Sequence, residues 1–183
     1  MVRMRRWITV VIMGSLMFVP GLAQANGVVH IDVDGTGCPA GSTSSNIAPD
    51  GQSFTILFDE FFASAGPNDP ESDTTKDCLI DVTLETDESV GIAMDTVGFV
   101  NVTADMTANQ QQHVLSTKHS NQVTHFSAPT IRQYLAHSTA TILAQGKPSR
   151  KTVTIMLQIE VDKGTNTTDS SLITIDSFDL ILH

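Results

Sequence analysis

The stretch TVTIMLQIEV, residues 152–161, puts Val153, Ile155, Leu157, Ile159 and Val161 at alternate positions, with Thr154, Gln158 and Glu160 between them. Successive side chains of a strand point to opposite faces, so a period of two marks a strand with one buried and one wet face. CLIDVTLE (78–85) repeats the pattern, with Cys78, Ile80, Val82 and Leu84 against Asp81, Thr83 and Glu85. SFTILF (53–58) groups Phe54, Ile56 and Phe58, and SVGIAM (89–94) groups Val90, Ile92 and Met94. Further strands are expected over 28–33, 99–106, 113–115, 122–126, 172–175 and 178–182. Turn-formers separate them: Pro49-Asp50-Gly51, Gly66-Pro67-Asn68-Asp69-Pro70 and Lys163-Gly164-Thr165-Asn166. Roughly eight or nine short antiparallel strands without a long helical pattern predict an all-β sandwich. Residues 130–144 fit neither period and are expected to form a helix or an irregular loop.

Ahead of the strands, Arg3, Arg5 and Arg6 precede an uncharged apolar stretch from Trp7 to Val19, and Ala23-Gln24-Ala25 follows. That succession is a secretory signal peptide over residues 1–25 with an A-x-A cleavage site. The apolar stretch is about 13 residues where a bilayer span needs about 20, so no transmembrane anchor is expected in the mature chain. Residues 26–183 are then one exported domain, secreted or periplasmic, long enough for a single core.

The chain has 20 acidic and 10 basic residues, three of the basic ones in the leader. The mature chain therefore carries about −13, a charge that repels nucleic acid and anionic membranes and excludes nucleic-acid binding as its role. Its two cysteines, Cys38 and Cys78, are most simply one disulfide in an oxidising compartment. A reactive thiol is the alternative, although Cys38-Pro39 has no second cysteine at the spacing of a redox motif.

Catalytic signatures are sparse. The chain lacks G-x-S-x-G and H-E-x-x-H. Asp34-Gly35-Thr36-Gly37 departs from the Asp-Thr-Gly of aspartic proteases and has no second copy. Asp59 and Glu60 are adjacent, so on a strand they point to opposite faces and cannot share a substrate proton. Two sets of metal-ligating types stand out. Asp32, Asp34 and Thr36 alternate as oxygen ligands do at the start of a calcium loop, but Thr43 stands where an EF-hand needs glutamate. His113, His119 and His125 recur every six residues, a weak transition-metal pattern with His137 beyond it. No cofactor is predicted, and calcium is the one ion the acids suggest. Asn101-Val102-Thr103 and Asn166-Thr167-Thr168 fit the N-glycosylation sequon.

GTGCPAGS (35–42), APDGQSFTILFDEFFASAGP (48–67), the acidic loop ending in KDC (76–78) and SSLITIDSFD (170–179) resemble, in order and spacing, the exported proteins of the domain of unknown function 4360 family. THFSAP (124–129) is similar to that family's Thr-x-Phe-x-Gly-Pro segment, with Ala128 in place of glycine. The resemblance implies a second cysteine pair, but Gln145-Gly146-Lys147 stands where a Pro-Cys-Gly turn would be, and no cysteine follows Cys78. Both are missing together, as partners of one lost bridge would be, which leaves Cys38 paired with Cys78. The family brings no activity. The expectation is an exported, non-catalytic binding or structural module with a cell-surface or extracellular partner of unknown identity. A calcium- or glycan-binding module is the alternative, ahead of a secreted hydrolase. Against glycans, Tyr134 is the sole tyrosine, the sole tryptophan is Trp7 in the leader, and the phenylalanines read as core.

Overall fold

The computed structural model describes residues 27–115, 121–143 and 149–183. The expected leader, His119 and the turn at Gln145-Gly146-Lys147 lie outside the described residues. Twelve strands are present among the described residues: β1 (Gly27–Asp34), β2 (Thr43–Ile47), β3 (Ser53–Phe58), β4 (Phe62–Ala65), β5 (Thr75–Thr86), β6 (Val90–Val102), β7 (Thr107–Val114), β8 (Asn121–Ser127), β9 (Thr130–Ile142), β10 (Ser149–Asp162), β11 (Ser171–Thr174) and β12 (Ser177–Leu182). They form two antiparallel sheets, one in the order β1-β5-β10-β7-β8, the other in the order β2-β3-β12-β6-β11-β4 with β9 also on β6.

The period-two segments do what their chemistry dictates. Cys78, Ile80, Val82 and Leu84 of β5 and Val153, Ile155, Leu157, Ile159 and Val161 of β10 are all buried, and so are Phe54, Ile56 and Phe58 of β3 and Val90, Ile92 and Met94 of β6. These inward faces meet to form one core, where each fully buried aliphatic or aromatic side chain contributes roughly 1.5–3 kcal/mol. Phe54 stacks on Phe178 with ring centroids 5.9 Å apart, and Phe58 meets Phe61 edge-on at 5.2 Å.

Residues 130–142 are a strand, which corrects the expectation of a helix or loop there. Tyr134, Ala136 and Ile142 of β9 face the core, but Ile131 and Leu135 face outward and Leu143 follows in the same sense. Apolar residues on both faces erase the period that would have identified the strand. Two further strands, β2 and β4, were hidden because TSSNI is polar on both faces and FASA is four residues long.

The larger sheet has a seam. β9 pairs with β6 along its whole length, from Val90↔Ile142 to Val102↔Thr130. The other edge of β6 is therefore shared end to end by β12, over 92–97, and β11, over 100–101. At the break between them the backbone is still satisfied: Asp176 N donates to Val97 O at 2.8 Å and Ile175 N to Phe61 O at 2.9 Å. The orphan carbonyl of Thr174 takes the hydroxyl of Tyr134 at 2.6 Å. Burial first, and Asp176 second, raise that hydroxyl's pKa far above the ordinary phenol value, so it remains a donor.

One inward face is polar. Gln112 on β7 is fully buried; its amide oxygen accepts from Thr96, and its nitrogen donates to Met94 O and to Ser138. It thus ties the smaller sheet to β6 and β9. Gln110, one inward position before it and equally buried, has neither amide atom hydrogen-bonded. An unmet buried amide costs about 1–3 kcal/mol, so Gln110→Met, close to isosteric, is expected to stabilise the fold by about 1–2 kcal/mol. A urea melt checks this; a lower midpoint would mean that the Gln110 amide is satisfied by bound water in solution.

Candidate functional site

The outward face of the five-stranded sheet is where chemistry-bearing side chains gather. Residues opposite one another in an antiparallel pair share a face, so the register places Asp77, Gln158, Gln111 and Val123 in one cross-strand row and Glu160, Asn109 and His125 in the next. Between these rows Asn109, Gln111, Val123, Gln158 and Glu160 line a shallow depression of about 120 Å³. Three strands supply the lining, β7, β8 and β10; β7 and β10 bury their inward sides in the core, and β8 is anchored there by Phe126. The flanks are tied by side-chain bonds: His125 Nδ1 lies 2.6 Å from Asn109 Oδ1, and Gln111 Nε2 donates to Asn121 Oδ1 at 2.9 Å. Amides that both donate and accept, with one carboxylate and one apolar contact, suit a ligand rich in hydroxyl or amide groups. They contain no nucleophile poised beside a base.

The described histidines do not converge. His113 and His125 share this outward face, but His125 pairs with Asn109, four positions along β7 from His113, a separation of about 13 Å along the strand. His137 lies on the other sheet and bonds to Asp95 at 2.6 Å. No group of three or more His, Cys, Asp or Glu side chains among the described residues is arranged to hold a metal ion.

The segment Asp32 to Thr36 runs from β1 onto the start of β5. Asp32 and Asp34 are exposed on β1, opposite Asp81 and Leu79. Thr36 turns away from them: its hydroxyl donates to Asp77 Oδ1 at 2.6 Å and accepts from Asp77 N at 3.0 Å, while Gly37 N donates to Asp77 O at 2.7 Å. The segment is clamped onto the start of β5, and Cys38 is bonded to Cys78 immediately beside it, with both cysteines buried. Glycine is required in this clamp. A Cβ on Gly35 would stand 2.4 Å from Asp77 O, and one on Gly37 would stand 2.2 Å from the Phe61 ring.

Of the two sequons, Asn101 lies within β6. Asn166 lies in the loop after β10, where its amide donates to Asp169 at 2.9 Å and Asp105 at 3.3 Å and its oxygen accepts from the backbone of Thr168 and Asp169. Hydrogen bonds from Thr165 and then Asn166 hold the exposed Asp105 carboxyl below its ordinary pKa.

A family model described as a domain of unknown function (DUF4360) matches residues 25–182. An uncharacterized secreted protein of Arthroderma benhamiae is 24% identical over 119 residues, which are 62% of this chain and 49% of that protein. The match thus spans about half of that relative's length. Among solved structures, the chain is similar to TmCBM61 in complex with β-1,4-galactotriose, at 10% identity and a TM-score of 0.32 over 88% of this chain and 97% of that one. A family 11 carbohydrate-binding module from Clostridium thermocellum gives 11% identity and a TM-score of 0.23, over 87% and 93%. Likeness at these scores carries no argument about ligand or chemistry. Among the described residues no helix is long and apolar enough to cross a membrane.

Proposed function

We propose, for a chain that belongs to the DUF4360 family and gains no activity from that membership, that it is an exported, non-catalytic β-sandwich module. It works at the cell envelope or outside the cell and meets a polar partner through the outward face of its five-stranded sheet. The observation that carries the reading is the depression lined by Asn109, Gln111, Gln158, Glu160 and Val123. Strand-borne amides held at fixed spacing recognise hydroxyls and amides without reorganising, and none of the lining side chains is a nucleophile set beside a base. The secreted relative and the clamp of Gly35 to Cys38 on β5 support a domain built to persist outside the cell.

The test incubates the purified domain with soluble oligosaccharides and short peptides, following binding by calorimetry and turnover by chromatography of the mixture. Weak binding without new products is expected, lost at least about tenfold in Gln111→Ala with Gln158→Ala, the order of a pair of polar anchors. Release of any cleaved product abolished by Glu160→Gln would replace this reading with a hydrolase.

A further inference from the structure

Among the described residues, the other sheet has an edge at β9 without the ordinary protections. Beyond its pairing with β6, β9 has no strand partner among the described residues, so every second residue of the 13 directs its backbone N–H and C=O to the free edge. Natural edges are blunted by proline, bulges or charges. β9 contains no proline, its register with β6 runs without a shift, and its one full charge is Arg132, drawn in over the Phe126 ring at 5.6 Å. Instead β9 and the residue after it carry the three most exposed large apolar side chains among the described residues: Ile131 at 71% and Leu135 at 64% on the strand, and Leu143 at 68% just beyond it.

Charge identifies what can cover it. A chain of net −10 repels its own copies, yet no Asp or Glu occurs between Asp105 and Glu160, a run that includes Arg132, Lys147, Arg150 and Lys151. β7, β8 and β9 fall wholly inside that run. The edge formed by β8 and β9 therefore carries no acid of its own, and Asp95 on the neighbouring β6 is held by His137, so two copies can meet there with little repulsion. A second copy also offers a free strand of matching length and apolar content. We propose that the protein self-associates by antiparallel pairing of β9 with β9 of a second copy about a twofold axis. A register centred on Gln133 pairs residues 130–136 of the two strands and sets Ile131 of each copy opposite Leu135 of the other, on one outward face. Because β9 belongs to the other sheet, the polar depression stays open in both copies, and a repetitive partner can be gripped twice.

Sedimentation velocity of the mature domain, from low to high micromolar concentration, tests the pairing. A concentration-dependent dimer is expected; Leu135→Lys, with an unchanged melting temperature, weakens it at least about tenfold. Leu57→Lys, at 52% exposure on the same sheet but away from β9, leaves the dimer intact. A monomer throughout the concentration range overturns the proposal, as does a dimer that responds equally to both substitutions.

Discussion

Replacing Cys38 and Cys78 together by alanine is expected to destabilise the domain by about 4 kcal/mol, the chain-entropy value for releasing a loop of this length. The bridge spans 40 residues. That loop contains β2, β3 and β4, three of the seven strands of one sheet, so the bridge ties that part of the sheet to the other. With a urea dependence of about 2 kcal/mol/M, the midpoint falls by about 2 M. Equilibrium unfolding of the double variant beside the oxidised wild type measures it. A fall of less than about 0.5 M would show that the Thr36–Asp77 clamp holds the segment without the bridge.

Gly98→Ala should cost about 3 kcal/mol, at the upper end of what overpacking imposes. Gly98 faces inward on β6 opposite Tyr134, and the tyrosine ring crosses it to reach the Thr174 carbonyl. A Cβ there would lie 2.1 Å from Thr174 O and 2.7 Å from the Tyr134 hydroxyl. Backbone cannot yield as a flexible side chain does, so the seam between β11 and β12 must open. Tyr134→Phe alone is expected to cost about 1 kcal/mol for the lost hydrogen bond. The two changes should be less than additive, since the phenylalanine removes one of the two clashes. Denaturation of the four-member cycle checks this, and strict additivity would mean that the hydroxyl does not lie over Gly98.

What the sequence discloses follows from where side chains point. Segments such as 78–85 and 152–161 are wet on one side and dry on the other, so their period names them as strands and names their inward residues. β9 defeats that reading because both of its faces carry apolar groups, and β7 defeats it in the opposite sense, because Gln110 and Gln112 are buried. The polar depression was legible only in part. His125 could be noticed as a residue type, but its neighbours Asn109, Gln111, Gln158 and Glu160 look like any solvated strand face until register brings them together. Thr36 shows the same limit: an alternation of oxygens suggested an ion, and only the fold reveals that its hydroxyl is committed to Asp77.

The pairing of β3 with β12 has a consequence for how the molecule comes into being. Thr55 meets Asp179 and Phe54 meets Leu180, so a strand made early waits for one made more than a hundred residues later. Neither sheet can be completed as synthesis proceeds, because β10, the centre of the other sheet, is also late. Non-local pairings of this kind form slowly, in milliseconds to seconds. Until residue 177 has been made, the chain is an open thread in which neither sheet can close.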